Sequence, residues 1–398
     1  MKTNIKAVIL TAGRGERMQP LSFQKQKHLI RLLGKSILEH NLDQLNNIVE
    51  EVILVIRPDD KCKEIKDLIG DRYKKLKIKY AIQEKALGTG DAAKSALSLI
   101  KDKFFLLNGD DLYDKKDIQK VLKKFPCLLA KEVKQPKFFG IVEEEKGIIK
   151  SFIEKPSKPK SNLANSGFYF LSKEIFNFSI EKSSRGEYEF TDYIKQFIKD
   201  NKLNVVKADQ WIPVSYCWNL LEANKALLSV AKKLNQGKIE SGCHISGKII
   251  ISRGTVIKGG TYIEGPVWIG KDCVIGPNSF LRKFTCLGDN CRIGQAVEIK
   301  NSVIGDNTNI AHLSYVGDSI IGDNCNLGAE TITANLRHDG KTIKTNIKNK
   351  LIDTKRIKFG TVLGDSVKTG IGTLIYPGRK IWPNKKTLPG EKVIKDIK

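Results

Sequence analysis

The sequence lacks several features that would assign it to a familiar class of protein. It has no run of about 18 apolar residues, which excludes a transmembrane helix. The apolar run at residues 7–10 is too short for the core of a secretory signal and is typical of a β-strand. The 8 cysteines include no Cys-x-x-Cys pair. We therefore expect reduced thiols in a cytoplasmic protein and predict neither a disulfide framework nor a zinc site.

Acidic residues are scarce relative to basic ones. The 69 Lys and Arg against 44 Asp and Glu give a formal net charge of +25. An excess of this kind can neutralise nucleic-acid phosphates. The lysines are dispersed over the whole length, however, and the pattern shows no nucleic-acid module, so we interpret most of the charge as a solvated surface. We expect small-molecule partners and predict neither a nucleic-acid nor a membrane partner.

The first part of the chain alternates short apolar runs with amphipathic stretches. With 398 residues, 40% of them apolar, the chain can bury a large core and is long enough for about two domains. Alternation of strands and helices predicts a mostly parallel, doubly wound α/β sheet, whose ligands bind beyond the carboxyl ends of the strands. The predicted strands are 7–10, 51–56, 77–82 and 104–107.

A connecting helix is predicted over residues 219–235. Apolar residues recur there at helical spacing and Gly237 follows them. We accordingly predict two domains, residues 1–235 and residues 236–398. The apolar residues of this pattern are Leu220, Ala223, Leu227, Val230 and Leu234.

After this helix the apolar period changes to six, which neither helices nor ordinary strands produce. The position four residues after each aliphatic is small or β-branched over most of the run, from Thr255 to Val297. This hexapeptide repeat predicts a parallel β-helix, a triangular prism in which each face contributes one inward aliphatic. Such a coil is expected to be left-handed, an exception to the usual crossover rule. The inward positions are Ile245, Ile251, Ile257, Ile263, Ile269, Ile275, Leu281, Leu287, Ile293 and Ile299.

The repeat is interrupted in the last third of the chain. Its register slips by one at Ile304 and again at Ile321, and it returns near Leu363 after an irregular stretch at about 336–358. We interpret that stretch as a functional loop or arm. Cys273 and Cys291, one predicted circuit apart, are expected to be stacked packing residues.

Motifs in the first part follow one another in a characteristic order. A glycine-rich loop follows the first predicted strand, and glycines there let the backbone approach a phosphate. The loop is not a Walker loop, because no Gly-Lys-Ser/Thr follows, and it is not a dinucleotide fingerprint, because Met18 stands where the third glycine belongs. In order, the motifs are Leu10-Thr-Ala-Gly-Arg-Gly-Glu-Arg-Met18, Lys27, Gln83 with Gly88-Thr89, Gly109-Asp110-Asp111, Phe139-Gly140, Glu154-Lys155-Pro156, Asn165-Ser-Gly167 and Thr191-Asp192.

This ordered set resembles the sugar-1-phosphate nucleotidylyltransferases over about residues 5–225. The resemblance implies that a sugar-phosphate oxygen attacks the α-phosphorus of a nucleoside triphosphate and that pyrophosphate leaves, a reaction of positioning and charge neutralisation. It implies that Lys27 and Arg17 are catalytic cations and that Asp110 binds Mg²⁺. Nucleotide contacts are implied for Leu10, Ala12, Gly13, Gln83, Gly88 and Thr89, with Gln83 and Gly88 at the base, and sugar contacts for Gly140, Glu154 and Asn165.

Two departures from that family's pattern concern the chemistry. Gln26 precedes the lysine where the family has proline, and Arg31 and Ser36 also replace usual prolines. Pro213 stands where the family has an aspartate that is a second metal ligand, and a proline can neither bind Mg²⁺ nor donate its backbone N–H. Nucleotidyl transfer could therefore be slow, use another ligand such as Asp111, or be lost.

Three segments of the second part carry a further resemblance, to the left-handed β-helix acetyltransferase domain of GlmU-type bifunctional enzymes of the archaeal type. They are 297–302, 311–318 and 324–335. Imidazole can take a proton from an attacking amine near neutral pH, and the resemblance implies that His312 is this base, with Glu298 a candidate to orient it. Sugar-phosphate contacts are implied for Arg282, Lys300, Tyr315, Asn326 and Lys341, and acetyl-CoA contacts for Ala329 and Asn335. Glu330 replaces a usual glycine.

Together the two resemblances imply a bifunctional enzyme that makes UDP-N-acetylglucosamine. Acetyl-CoA would acetylate glucosamine-1-phosphate, and UTP with Mg²⁺ would then supply the uridylyl group. A homotrimer built on the prisms is implied as well. Two alternatives remain open: an enzyme with one working site, either acetyltransferase or glucose-1-phosphate thymidylyl- or uridylyltransferase, and a non-catalytic regulatory or scaffold subunit.

Overall fold

The computed structural model describes residues 5–183 and 185–398. The chain forms two compact units. The first unit comprises the described residues up to Arg14 together with Ile37–Pro213, and the second comprises Gly15–Ser36 and Val214–Lys398. The predicted division between residues 235 and 236 stays a prediction, whereas contacts group residues 15–36 and 214–235 with the second unit.

The elements of residues 5–213 alternate between strands and helices, as their hydrophobic patterns predict. The strands are β1 (Lys6–Leu10), β2 (Arg31–Leu32), β3 (Lys35–Ser36), β4 (Glu51–Ile56), β5 (Arg72–Tyr73), β6 (Leu76–Ile82), β7 (Lys103–Asn108), β8 (Asp111–Tyr113), β9 (Cys127–Glu132), β10 (Gly140–Glu145), β11 (Ile148–Glu154), β12 (Leu163–Ser172), β13 (Asn204–Lys207) and β14 (Trp211–Pro213). The helices are α1 (Ile37–Leu45), α2 (Asp60–Ile69), α3 (Thr89–Ser95), α4 (Lys115–Leu122) and α5 (Phe190–Asp200).

The first unit is built on one mixed sheet in the order β10-β11-β13-β9-β12-β7-β1-β4-β6-β5. The four predicted strands β1, β4, β6 and β7 are confirmed and form its parallel part. The rest differs from the mostly parallel sheet that we predicted, because β12 pairs antiparallel with β7 and β9, and β10 with β11. A tight turn explains the last pair: Lys146 and Gly147 both have positive φ, which turns the chain straight back.

The strand order of this sheet creates one switch point. The chain runs from β1 to β4 and β6 on one side, and β7 then returns on the other side of β1. Leu10 at the end of β1 is in register with Asn108 at the end of β7. Ligands of open α/β sheets bind beyond such strand ends, so the residues after Leu10 and after Asn108 occupy the favoured position.

The second unit contains helix α6 (Asn219–Val230) and a long series of short strands. The strands are β15 (Leu234–Asn235), β16 (Lys238–Ile239), β17 (His244–Ser246), β18 (Ile249–Ile251), β19 (Val256–Ile257), β20 (Tyr262–Glu264), β21 (Val267–Ile269), β22 (Val274–Ile275), β23 (Phe280–Leu281), β24 (Cys286–Leu287), β25 (Arg292–Gln295), β26 (Glu298–Lys300), β27 (Val303–Ile304), β28 (Asn309–His312), β29 (Tyr315–Gly317), β30 (Ile320–Ile321), β31 (Asn326–Leu327), β32 (Ile332–Thr333), β33 (Lys344–Ile347), β34 (Lys350–Asp353), β35 (Val362–Leu363), β36 (Leu374–Ile375), β37 (Lys380–Ile381) and β38 (Lys392–Val393).

Consecutive strands pass in turn to three parallel sheets, which is the winding of a parallel coil. The first coil sheet has the order β15-β18-β21-β24-β27-β30-β35-β37, the second β16-β19-β22-β25-β28-β31, and the third β17-β20-β23-β26-β29-β32-β36-β38. Ile257, Ile275 and Ile293 lie in register on successive circuits. The predicted inward aliphatics from Ile251 to Ile299 are all buried in one core, which confirms the six-residue period.

The predicted interruptions are also present. The register slips shorten the repeat spacing, so that Ile293 pairs with Ile310 and Ile304 with Ile321. The stretch at 336–358 contains the antiparallel hairpin of β33 and β34, which leaves the coil before β35 resumes it. Cys273 and Cys291 are stacked and buried, and the Cys291 backbone N–H bonds the Cys273 sulfur at 3.4 Å.

The connecting helix is shorter than predicted. α6 ends at Val230, where Ala231 takes an extended conformation, and Leu234 lies in the first strand of the coil. Val230 and Leu234 are exposed rather than on the buried face that we expected. Val230 is the last residue of α6, and Leu234 pairs with Ile250 in the coil, so the helical spacing continues past the end of the helix.

The structure bears on the predictions about membranes and cysteines. Within the described residues, none of the helices has the length and apolar character needed to span a membrane. The seven described cysteines are free thiols, six of them buried. The Cys62 side chain lies outside the described part.

Candidate active sites

The glycine-rich loop and Asp110 lie at the switch point of the first unit. The Gly109 backbone N–H bonds the carbonyl of Leu10 at 3.0 Å, which ties the end of β7 to the end of β1. The Arg57 guanidinium bonds the carbonyl of Ala12 at 2.6 Å and fixes the loop from β4. Leu10 and Ala12 are buried, Gly13 is exposed and Asp110 is half-buried. Exposed backbone beside a carboxylate suits a phosphate with its metal ion.

Arg17 and Lys27, the two predicted catalytic cations, belong to the segment Gly15–Ser36 of the second unit. Gly15 has φ 69°, and a Cβ added to it would lie 3.2 Å from the Cβ of Lys27, so the turn needs glycine both for its conformation and for space. The Ser22 hydroxyl bonds the Gly15 carbonyl at 2.7 Å. Arg17 is exposed and its guanidinium lies 5.3 Å from the centre of the Tyr216 ring.

Gln83, Gly88 and Thr89 are brought together at the start of α3. The Gln83 amide donates to the Gly88 carbonyl at 3.0 Å and to Asp91 at 2.8 Å. Gly88 has φ 105° and approaches the Tyr188 carbonyl so closely that a Cβ would lie 2.5 Å from it. The Thr89 hydroxyl accepts the backbone N–H of Phe190 at 2.9 Å, so it has a structural bond at the start of α5.

The predicted sugar contacts also converge. Gly140 and Glu154 face each other across the β10–β11 pair, and the residue after Gly140 pairs with the residue before Asn165. The Asn165 amide donates to the Tyr169 hydroxyl at 2.7 Å. A neighbouring cleft of ≈ 370 Å³ is lined by the charged residues Glu154, Lys155, Arg185, Glu189, Asp192 and Lys195 and by Ser183 and Thr191.

The donor set for a metal ion in the first unit is small. Within the described residues there is no cluster of three His, Cys, Asp or Glu side chains that could hold one. Asp111 is buried and its carboxylate accepts from the Trp211 indole N–H at 3.2 Å. Pro213 is in register directly opposite Asp111. Asp110 therefore supplies one carboxylate, which fits Mg²⁺ because this ion is commonly held by one or two carboxylates plus substrate phosphates.

His312 lies at the end of β28 in the second coil sheet, in register with Gln295 of the circuit before. It is exposed, as we predicted from its position two residues after the inward Ile310. Glu298 does not orient it within this chain. Its carboxylate is instead bonded by Arg282 Nη1 at 2.9 Å, because Glu298 lies on the third coil sheet, in register with Tyr315.

A buried carboxylate joins the predicted acetyl-site residues of the third coil sheet. Asp318 Oδ2 accepts from the Asn335 amide at 2.6 Å and from Lys300 Nζ at 3.2 Å, and Asp318 Oδ1 accepts from the Asn301 amide at 2.6 Å. The Asn335 amide also donates to the Tyr315 hydroxyl at 3.2 Å. Burial raises the pKa of Tyr315, so this hydroxyl stays protonated. Lys300, Tyr315 and Asn335 are thus one network with Asp318 at its centre.

The remaining predicted residues of the second unit are spread around it. Asn326 is exposed on β31 in the second coil sheet, two residues before the corner that leads to Ala329. Lys341 is exposed on the arm. Glu330 has φ 61°, the left-handed conformation that favours glycine, and its backbone N–H bonds the His312 carbonyl at 3.4 Å. This explains why a glycine is usual there and places Glu330 one circuit beyond His312.

Sequence reasoning missed Asp318. It lies in the segment 311–318 that we singled out, but nothing in its position in the repeat predicted that this aspartate is buried. Its positive φ of 50° and its 3% exposure come from a coil corner that only the structure defines. A signal was available in the sequence, because Lys300 and Asn301 place a cation and an amide about one circuit before this aspartate.

Comparisons with known proteins match the two parts of the chain to two different family models. The nucleotidyl transferase family model matches residues 6–230, and the family model for the GMPPB C-terminal domain matches residues 263–390. The chain is 43% identical over 385 residues to the bifunctional protein GlmU of Methanocaldococcus jannaschii, a match covering 95% of this chain and 92% of the relative. The chain belongs to the family of archaeal bifunctional GlmU proteins. It is an enzyme of that kind, a transferase.

This GlmU family member is similar to two further proteins. It is 38% identical over 401 residues to the bifunctional sugar-1-phosphate nucleotidylyltransferase/acetyltransferase of Sulfurisphaera tokodaii, covering 99% of this chain and 98% of the relative. The crystal structure of a Bacillus anthracis protein described as a glucose-1-phosphate thymidylyltransferase, in complex with a sucrose, superposes with a TM-score of 0.53 at 22% identity. That likeness covers 58% of this chain and 98% of the other, and it shows the fold alone.

Proposed function

We propose that the protein acetylates glucosamine-1-phosphate with acetyl-CoA and then joins the product to UTP, forming UDP-N-acetylglucosamine and pyrophosphate. The observation that carries the proposal is the match to bifunctional relatives over 95% of the chain, which spans both units and both sets of predicted residues. The two reactions use one sugar phosphate in succession, which gives a reason for two units in one polypeptide.

In the nucleotidyl reaction, we propose that the exposed loop at Gly13 and the cations Arg17 and Lys27 bind the triphosphate. An oxygen of the sugar phosphate attacks the α-phosphorus, the bond to the β-phosphate oxygen breaks, and pyrophosphate leaves with the electron pair. Positive charge on Arg17 and Lys27 lowers the repulsion between two anionic reactants. We propose that Gln83 and Gly88 read the pyrimidine base and that Gly140, Glu154 and Asn165 bind the sugar.

Mg²⁺ would be held by Asp110 together with phosphate oxygens. When bound, Mg²⁺ neutralises phosphate charge and aligns the reacting groups. Asp111 is not proposed as a ligand, because its carboxylate is buried and accepts from Trp211.

In the acetyl reaction, we propose that the His312 imidazole takes the proton from the sugar amine. The amine nitrogen then attacks the thioester carbonyl, the C–S bond breaks with its electron pair on sulfur, and the thiolate of coenzyme A takes the proton held by His312 and leaves as a thiol. Arg282, Lys300, Asn326 and Lys341 supply the charge and hydrogen bonds that a sugar phosphate requires. Ala329 and Asn335 would adjoin acetyl-CoA, with Asn335 fixed by Asp318 and Tyr315.

The finer architecture is part of the same proposal. We propose that the coil is left-handed, that the domains divide near residue 235, and that the coils assemble into a homotrimer with the acetyl sites near the interfaces. The exposed His312, which has no side-chain hydrogen bond among the described residues, supports a site completed by another copy. The free thiols support a location in the cytoplasm.

One specific observation favours a second candidate, an enzyme in which only the acetyl site works. Pro213 lies opposite Asp111, at the position where the family resemblance implies a second carboxylate for the metal ion. This candidate differs from the bifunctional one only in lacking nucleotidyl transfer.

Separate assays of the two reactions test the proposal. Free thiol is recorded with acetyl-CoA and glucosamine-1-phosphate, and pyrophosphate with Mg²⁺, UTP and N-acetylglucosamine-1-phosphate. We expect His312→Ala to abolish thiol release and Asp110→Asn to abolish pyrophosphate release. Thiol release by wild type without pyrophosphate from any nucleotide pair would favour the second candidate, and full thiol release by His312→Ala would overturn the base assignment.

A further inference from the structure

The segment Gly15–Ser36 covers an apolar column on the coil. In the first coil sheet, the residue before each inward aliphatic points outward, because side chains alternate along a strand. Five of these outward residues are apolar and buried, although Leu234 is exposed and Trp268 is half-buried. The outward residues of the second coil sheet include the exposed Arg292 and Asn326. The buried outward residues are Ile250, Cys286, Val303, Ile320 and Val362. Leu21, Ile30 and Leu33 of the segment line one pocket together with Cys286, Val303 and Ile320 of this column.

An acidic ladder runs along the same edge of the coil. Each of its aspartates accepts, with Oδ1, the backbone N–H of the circuit before it, at 2.8 or 2.9 Å. That bond uses one carboxylate oxygen and leaves Oδ2 free to meet another partner. The ladder residues are Asp289, Asp306, Asp323 and Asp365.

Two cations of the segment occupy those Oδ2 atoms. Lys25 Nζ pairs with Asp323 and lies 3.1 Å from Asp365 Oδ2. Arg31 pairs with Asp306 and lies 3.4 Å from Asp289 Oδ2. Burial alone would lower the pKa of Lys25, but the two carboxylates outweigh it and the pKa is raised, so the ammonium stays charged. Arg31 is one of the residues that replaces a family proline, and the ladder gives that replacement a role.

The other end of the segment is also tied to the coil and to the chain before α6. Lys380, with 1% of its surface exposed, donates to the Gln19 carbonyl at 3.0 Å. The Cys217 thiol donates to the Met18 carbonyl at 3.0 Å. Arg17 and Lys27 therefore lie on a segment fixed on both sides of them.

We propose that Lys25 and Arg31 are positioning residues for nucleotidyl transfer, and that the acidic ladder of the coil holds the segment carrying Arg17 and Lys27. The inference rests on the proposed nucleotidyl function of those two cations. It makes nucleotidyl transfer dependent on the second unit. Among the described residues, the hydrogen bonds and ion pairs of the ladder aspartates involve neither the Asp318 network nor His312. Removing the coil would thus abolish nucleotidyl transfer. The glycine-rich loop of the first unit gives no reason by itself to expect this dependence.

The test uses the full chain with the double variant Asp323→Asn, Asp365→Asn. Asparagine keeps an acceptor for the coil N–H and removes the charge that faces Lys25. Because misplacing a reacting group by about 1 Å can cost roughly 100-fold, we expect loosening of the segment to lower kcat for pyrophosphate release roughly tenfold. KM for the sugar phosphate should be unchanged, because Gly140, Glu154 and Asn165 lie in the first unit. Thiol release should stay within about twofold of wild type.

Hydrogen exchange gives a readout that does not need activity. Amides of residues 15–36 should exchange faster in the double variant than in wild type, while amides of β19 and β22 keep their protection. Asp272→Asn is the matched control, an exposed coil aspartate with positive φ that is not part of the ladder. Lys25→Met tests the pair from the segment side without altering the coil, and Lys25→Arg should restore wild-type values.

The outcomes separate this inference from the proposed function. Slower pyrophosphate release with faster exchange in both the double variant and Lys25→Met supports it. Unchanged kcat and unchanged exchange overturn it, as does faster exchange with unchanged kcat. A wild-type protein that releases no pyrophosphate contradicts the nucleotidyl function itself, and the positioning role falls with it, while exchange still reports whether the ladder anchors the segment.

Discussion

Replacing Asp318 by asparagine should weaken both the second unit and its acetyl reaction. Asp318 Oδ1 accepts from Asn301, and Oδ2 accepts from Asn335 and Lys300. An asparagine of the same shape keeps one acceptor, which can serve Asn301. Its NH₂ group would then face the Asn335 amide and the Lys300 ammonium, so a donor would stand opposite two donors.

The size of the effect follows from those contacts. A hydrogen bond to a charged group contributes about 1.5–3 kcal/mol. The Lys300 pair adds little, because the lysine side chain is 22% exposed and can be solvated when its partner is removed. The lost Asn335 bond therefore dominates, and we expect unfolding of the second unit to become easier by about 2–3 kcal/mol. At roughly 2–4 °C per kcal/mol for a unit of this size, Tm falls by about 4–12 °C.

Two measurements check this prediction. Calorimetry gives Tm, and thiol release with acetyl-CoA and glucosamine-1-phosphate gives kcat/KM, which should fall at least tenfold as Asn335 and Lys300 lose their orientation. Asp272→Asn, which makes the same chemical change at an exposed corner with positive φ, should behave as wild type in both. The reasoning is refuted if Asp318→Asn keeps Tm within about 1 °C and thiol release within about twofold of wild type.

Three further predictions concern other parts of the chain. Glu330→Gly removes a carboxylate and a left-handed non-glycine residue, so KM for acetyl-CoA should fall about threefold in initial-rate assays, and an unchanged or higher KM would count against placing the cofactor near Ala329. Pro213→Asp adds a carboxylate opposite Asp111, so the Mg²⁺ concentration for half-maximal pyrophosphate release should fall roughly tenfold; an unaltered requirement would show that position 213 does not reach the ion. In a Cys62→Ser background, a thiol reagent should react rapidly with Cys243 alone, because the other six described cysteines are buried. Burial raises the pKa of the Cys217 thiol to about 11 and those of Cys286 and Cys325 to about 12, whereas the hydrogen bond with Cys291 lowers the pKa of Cys273, which only burial protects; fast reaction that persists in Cys243→Ser would contradict that burial.

The repeat made much of the second unit predictable from sequence. A period of six fixes both the inward residue and the corner, and Ile251 to Ile299 are buried as expected. The slips at Ile304 and Ile321 were visible for the same reason. The end of α6 was not, because Val230 and Leu234 satisfy helical spacing although α6 ends at Val230 and Leu234 lies in β15.

The contacts of the coil surface could not be predicted from the period alone. Cys286, Val303 and Ile320 are buried against the segment Gly15–Ser36, which is far away in the chain. The Lys25–Asp323 pair likewise joins residues that are 298 positions apart. The family resemblance made Glu298 a candidate to orient His312, whereas the coil places it on another sheet beside Arg282. Residues that are close in sequence lie on different sheets of the coil, so a side chain meets the residues that are in register with it on the neighbouring circuits.

In the first unit, motif order located the residues but not their partners. Leu10, Gly13 and Asp110 lie at one switch point because strand ends carry them there. Thr89 carries a polar group that the sequence assigned to ligand, and the structure shows its hydroxyl accepting a backbone N–H of α5. A polar side chain at the edge of a site can bond the backbone instead of a ligand, and the distances to its neighbours show which partner it has.

The central claim is that one chain carries out both reactions in succession, and a single incubation tests it most directly. Wild-type protein is given acetyl-CoA, glucosamine-1-phosphate, UTP and Mg²⁺, and thiol, pyrophosphate and nucleotide sugar are measured together by mass spectrometry and colorimetry. The account predicts UDP-N-acetylglucosamine with one thiol and one pyrophosphate released per molecule formed. Absence of the nucleotide sugar, with thiol or pyrophosphate released alone or neither released, would contradict it.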